Sequence, residues 1–248
     1  MIGVGATSEE VDVVFIGDSM TKGYAFAENS TPELPVTTFG PDHAVAQALR
    51  AHDYGWTAAA MATDGVTSYS WDRHDAWEPR DPEGFSRVAV VNEMKPRLVV
   101  VMLGTNDALQ AGHKDADRHQ TQASRRETYD RAMTAILDGL DPAVAVLLLR
   151  PMDVLTGDPE DGWLKDVDAQ AVNDMLADHI TPYLQAQAAA RENVYFYDLN
   201  AAFRKRPNWR DFYNDGIHVY KVHEGAYGFS LVLSDVLSAT HHVLQQLP

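Results

Sequence analysis

Cysteine is absent from the 248 residues. Disulfides, thiolate metal sites and a cysteine nucleophile are thereby excluded together, although the compartment is not decided. Positive charge is scarce: 20 lysines and arginines stand against 36 aspartates and glutamates, a formal net charge of −16. Nucleic-acid backbones are bound by clustered cations, so no nucleic-acid partner is expected. No apolar run approaches the roughly 20 residues that a membrane span requires. The opening stretch MIGVGATSEEVDVVFIG has no cationic segment followed by an apolar core and a small-residue cleavage site. A cytoplasmic protein is the expectation, or a secreted one if a leader precedes residue 1. Repeats, low-complexity tracts and linkers are also missing, and this length suits one core, so a single catalytic domain over residues 1–248 is expected.

What is present is an alternation of short, β-branched apolar runs with longer amphipathic stretches, the pattern of α/β units around a parallel sheet. Strands are predicted at 11–17, 55–61, 97–103, 144–149 and 193–198, with helices near 42–52, 82–95, 120–140, 165–191 and 224–247. The runs 97–103 and 144–149 are almost wholly apolar, as strands covered on both faces must be. The expected fold is a flavodoxin-like three-layer α/β/α sandwich with a five-stranded parallel sheet, which binds ligands beyond the carboxyl ends of its strands.

Polar groups follow those ends. Gly17-Asp18-Ser19 comes after the first strand, Thr63-Asp64-Gly65-Val66 after the second and Gly104-Thr105-Asn106-Asp107 after the third. Asn214-Asp215-Gly216-Ile217-His218 precedes the last helix. A serine hydroxyl needs a base to take its proton, and His218 suits Ser19 in that role. Asp215, three residues earlier, can hold the imidazole in the useful tautomer. For the oxyanion that serine attack on an ester creates, the available donors are the Asn106 amide and the backbone N–H groups of Ser19 and Gly65.

These blocks, "GDS", "DGV", "GTND" and "DGIH" in this order, resemble those of the SGNH (GDSL-type) hydrolase family, over nearly the whole chain. The family's four marker residues correspond to Ser19, Gly65, Asn106 and His218. The resemblance implies the flavodoxin-like fold, no metal or organic cofactor, and hydrolysis of carboxylic esters or thioesters through an acyl-serine intermediate. In two places the chain departs from the family: Val219 follows His218 where proline is frequent, and Gly225 stands about two residues late. A different path from the turn into the last helix is therefore expected.

Plainer readings stand beside these. Asp18 and Asp107 read as loop braces, since carboxylates accept bonds from nearby backbone amides. HKDADRH (113–119) reads as a solvated loop and GDPEDG (157–162) as a surface turn. A G-x-S-x-G elbow fails at Thr21, and an aspartyl-phosphate scheme fails at Met20.

Two features bear on the substrate. Tyr69, Trp71 and Trp77 follow Gly65 and are candidate cleft-lining rings for a sugar or an acyl chain, or else pins for a long loop. Arg204 and Arg210 belong to a cationic stretch just before the Asp215–His218 turn, suited to a carboxylate or sulfate on an acidic saccharide or simply to a solvated helix end. No long apolar segment could serve as a lipase lid. The expected activity is a short-acyl esterase removing O-acetyl groups from carbohydrates. The alternatives are a general arylesterase, lysophospholipase or thioesterase, or, from another class, a catalytically silent carbohydrate-binding module on the same fold.

Overall fold

The apolar runs pair side by side in the computed structural model, which describes residues 11–22, 55–73, 86–113, 122–155, 166–213, 215–219, 222–223 and 226–248. Strands β1 (Val13–Gly17), β2 (Ala58–Ala62), β3 (Leu98–Met102), β4 (Ala145–Arg150) and β5 (Val194–Asp198) form one sheet in the order β2-β1-β3-β4-β5. Every pairing in it is parallel. This is the flavodoxin-like arrangement: the chain winds outward from β1 to β2, then reverses to β3 on the other side.

Alternate side chains of a strand point to opposite faces, so each strand feeds two cores. Val14, Ile16, Val99, Val101, Val146 and Leu148 share one apolar cluster. It also takes in residues of α2 (Ser68–Arg73), α3 (Arg87–Glu93), α5 (Gln122–Gly139) and α6 (Ala169–Met175). Val13, Phe15, Leu98, Val100, Leu147 and Leu149 meet α8 (Leu199–Arg204) and α9 (Gly228–Leu244) on the other face. In α9 the buried residues Phe229, Val232, Val236, Leu237, Val243 and Leu244 recur at the three- and four-residue spacing of one helical face.

Two helical expectations are modified. The predicted helix 165–191 runs unbroken from 169 to 190 but is not α throughout: α6 passes through a π turn, Leu176–Ile180, into α7 (Thr181–Ala190). The Thr181 backbone N–H and hydroxyl both donate to the Leu176 carbonyl, five residues back, the hydroxyl at 2.6 Å, and Pro182 has no N–H to donate. The last helix is preceded by a short antiparallel pair, β6 (Val222–His223) with β7 (Ala226–Tyr227), so the chain does take a detour after His218. The predicted helix 42–52 lies outside the described residues.

Register decides which loops meet. Gly17 at the end of β1 lies level with Ala62 of β2 on one side and Met102 of β3 on the other. Arg150 is level with Asp198 at the ends of β4 and β5. Whatever follows these residues leaves the sheet along one edge, at the reversal between β1 and β3.

Candidate active site

Ser19 opens α1 (Ser19–Lys22), directly after β1. The helix folds tightly back on the strand: a Cβ added to Gly17 would lie 1.9 Å from Thr21 Oγ1, so only glycine permits this turn. Asp18 tethers the same turn, its Oδ1 accepting the Met20 N–H at 3.0 Å. The next loop is held by Lys22, which pairs with Asp64 at 2.6 Å. There Gly65 adopts φ +71°, a left-handed conformation, and no atom lies within 4 Å of where its Cβ would be.

Asn106 sits in the first turn of α4 (Thr105–Ala111). Its amide nitrogen donates to the Val66 carbonyl at 3.0 Å and makes a longer 3.4 Å contact with Asp18 Oδ2. One side chain thereby ties the loops after β1, β2 and β3. Beside it the buried Asp107 carboxylate accepts from the Ser68 backbone N–H at 2.9 Å and from its hydroxyl at 2.7 Å. Burial raises the pKa of Asp107 against those bonds.

His218 closes the arrangement. Its Nε2 lies 2.9 Å from Ser19 Oγ and its Nδ1 lies 2.7 Å from Asp215 Oδ2. The other oxygen of Asp215 accepts the backbone N–H groups of Ile217 and His218 at 2.9 and 2.7 Å. Burial acts to raise Asp215, but its bond to His218, the charge of that ring and the two backbone donors outweigh it, and the carboxyl is held below its ordinary value. An ionised Asp215 makes Nδ1 the protonated nitrogen, which leaves Nε2 to accept the serine proton. Asp18 behaves differently. Burial drives it up to about 6, against the Met20 bond and the His218 charge and with help from Asp107.

The structure therefore brings Ser19, His218 and Asp215 into one hydrogen-bonded chain, with Gly65 and Asn106 on the adjoining loops. The proposed substrate contacts fare unevenly. Trp71 is corrected from cleft to core: it is 0 % exposed, and its indole N–H donates to the Met61 carbonyl at 2.8 Å. Tyr69, two residues earlier, is 39 % exposed. Trp77 lies outside the described residues, as do most of 113–119 and all of 157–162. Arg204 pairs with Asp153 at 2.9 Å, and Arg204 and Arg210 both lie over the Trp209 ring. Among the described residues no cluster of histidine and carboxylate side chains is arranged to hold a metal ion.

One group was missed in the sequence. Asp153, in the loop after β4, is bound by Arg150 at 2.6 Å and accepts from the Asn200 amide at 3.1 Å. Its backbone carbonyl accepts the Tyr213 hydroxyl at 2.6 Å. Two residues on, the Leu155 N–H donates to the Gly216 carbonyl at 2.7 Å. This lattice fastens the Asp215–His218 turn to the sheet. The available signal was the charged pair Arg150 and Asp153 directly after an apolar strand.

Solved structures with the same fold cover nearly the whole chain. An aryl esterase of M. smegmatis matches with a TM-score of 0.56 at 18% identity, covering 95% of this chain and 99% of that one. An acetylxylan esterase from Geobacillus stearothermophilus gives 0.52 at 18% identity, covering 95% and 94%. The C-terminal catalytic domain of a Streptococcus pneumoniae peptidoglycan O-acetyltransferase gives 0.53 at 15% identity, covering 97% of both. Among curated proteins the sequence finds no match. The GDSL-like lipase/acylhydrolase family model matches residues 15–221, from the strand that delivers Ser19 to just beyond His218. The chain belongs to that family and is an ester hydrolase.

Proposed function

We propose that the protein, acting as a single catalytic domain, removes acetyl groups from carbohydrate hydroxyls by way of an acyl-serine intermediate. The observation that carries the mechanism is the unbroken chain from Ser19 Oγ through His218 to Asp215, at 2.9 and 2.7 Å. As Oγ bonds to the ester carbon, its proton passes to Nε2, and Asp215 stabilises the imidazolium that forms. The carbonyl oxygen becomes an oxyanion. The N–H groups of Ser19 and Gly65 meet no acceptor among the described residues, and one Asn106 amide hydrogen has only the long contact with Asp18. These three donors are suited to that oxygen. Collapse of the adduct breaks the bond to the alcohol, which leaves with the proton from His218. Water, deprotonated by the same ring, then releases acetate and restores the serine.

The carbohydrate preference is supported by the polar cleft beside the Asp215–His218 turn, and by the acetylxylan esterase that shares the fold. The test compares acetate release from acetylated oligosaccharides with hydrolysis of medium-chain acyl esters and thioesters. A preference for acyl chains of about eight carbons or more would overturn the deacetylase reading. Ser19→Ala should cost at least about 10³-fold in kcat on a chromogenic acetate ester. Equal rates for the two proteins would point instead to a non-catalytic binding module.

A further inference from the structure

Between the loop after β4, helix α6 and residues 204–210 lies a cleft of about 270 Å³. Gln170 and Asp174 line it from α6, and Arg204, Trp209 and Arg210 from the other side. The guanidinium carbons of Arg204 and Arg210 lie 4.9 and 5.1 Å from the centre of the Trp209 ring, where cation–π attraction holds them. Arg204 is fixed further by Asp153, which also binds the buried Arg150, so two arginines share one carboxylate. Arg210 has no carboxylate partner among the described residues. Among the charged residues lining the cleft Arg204 and Arg210 offset Asp153 and Asp174; the buried Arg150 behind them, which shares Asp153, adds one positive charge, in a chain whose formal charge is −16.

The hydrogen-bond balance favours the same kind of ligand. Asp174 Oδ1 is already occupied by the Gln170 amide at 2.7 Å, and both amide atoms of Asn173 are spent on the Val154 backbone at 2.8 Å. The Arg210 guanidinium, the unused N–H groups of Arg204 and the Trp209 indole N–H remain as donors without acceptors among the described residues. A ligand that completes this cleft brings acceptors and negative charge, and a guanidinium fork matches a carboxylate in particular.

The cleft adjoins the reacting groups. Leu155, on its wall, donates to the Gly216 carbonyl at 2.7 Å, and Gly216 precedes His218 by two residues, a reach of at most about 7 Å. We propose that this cleft is a subsite for a carboxylate-bearing sugar unit on the alcohol side of the scissile ester, with Arg204 and Arg210 as the specificity-determining pair. The proposal rests on the deacetylase reading and narrows its substrates to acetylated acidic oligosaccharides.

Binding is tested with unacetylated trigalacturonate and xylotriose by calorimetric titration, and turnover with the acetylated forms of both. Trigalacturonate is expected to bind the wild type, at least about tenfold more weakly to Arg210→Glu and about threefold more weakly to Arg210→Gln. Xylotriose affinity should change less than about twofold in either variant. Lys205→Glu makes the same charge change at a residue that does not line the cleft, and should leave trigalacturonate affinity within about twofold. Thermal unfolding confirms that each variant is folded. Absence of trigalacturonate binding, equal weakening of both sugars by Arg210→Glu, or an equal effect of Lys205→Glu would overturn the subsite. If trigalacturonate binds as expected while neither acetylated sugar is hydrolysed, the deacetylase reading falls, and the cleft stands as a binding site for acidic sugars but not as a subsite of that reaction. Hydrolysis of both acetylated sugars without preference for the acidic one leaves the deacetylase and removes the subsite.

Discussion

Asp18 and Asp215 each adjoin one member of the Ser19–His218 pair, and their surroundings push them in opposite directions. Asp18 is 1 % exposed and accepts from the Met20 N–H, with the long contact from Asn106 beside it. Asp215 has two backbone donors and an imidazole N–H. Burial penalises both as anions; only Asp215 has enough partners to overcome it. The comparison teaches that depth and bonding act together on a carboxyl here: Asp18 is buried outright, whereas Asp215 is only part-buried and accepts from His218 on one oxygen and from two backbone N–H groups on the other. Asp215 is therefore suited to orient His218 as an anion, whereas Asp18 braces the turn with its charge poised near pH 6.

The largest effect should come from removing the charge of Asp215. Asp215→Asn lets the ring take the other tautomer, and kcat on an acetate ester should fall about 10³- to 10⁴-fold. A loss below about tenfold in the folded variant would break the assignment of the two carboxyls.

Asp18→Asn should act on stability in the opposite sense. Because the folded protein holds the Asp18 proton more tightly than the unfolded chain, stability falls as pH rises from 3.8 through about 6 and stays lowered above it. At about 1.4 kcal/mol per pH unit, the displacement corresponds to about 3 kcal/mol. In denaturant titrations the variant should therefore gain on the wild type by up to about 3 kcal/mol between about pH 4 and about pH 7. A constant difference across that range would show that burial does not raise the Asp18 pKa. For Asp215, held low, the sign reverses: its contribution is present above the ordinary carboxyl value and is lost as pH falls through the lowered one.

Tyr213→Phe should give the smallest of these effects. It removes the 2.6 Å bond to the Asp153 carbonyl and leaves that oxygen buried, costing about 1–2 kcal/mol in unfolding free energy. Because Tyr213 adjoins the Asp215–His218 turn, kcat should fall with stability, while the variant keeps the wild-type pH dependence assigned to Asp18. A change in that dependence would mean the two regions are coupled more tightly than their separate bonding suggests.

The five strands were legible within a few residues because Val13–Ile16, Leu98–Met102 and Ala145–Leu149 are continuous apolar runs that only a doubly covered sheet can bury. Ser19, Gly65, Asn106, Asp215 and His218 were legible because each belongs to a short block directly after a strand or before the last helix. The aromatic stretch was not. Tyr69 and Trp71 share α2, yet one is exposed and the other buried, since a helix turns neighbours two apart to different faces. Nor was the π turn, in which the N–H and the hydroxyl of Thr181 both reach the Leu176 carbonyl five residues back.

Composition and local pattern alone determined that this chain forms an α/β sheet, lacks thiol chemistry and carries a serine, a histidine and an acid in the spacing of one hydrolase family, because strand propensity and turn chemistry act over a few residues. The tertiary structure alone decided that Ser19 and His218, 199 residues apart, stand 2.9 Å from each other, that the pKa values of Asp18 and Asp215 move in opposite directions, and that Asp153 anchors the turn. Those outcomes depend on sheet register and on which donors reach each buried oxygen, and both are settled only when distant segments pack.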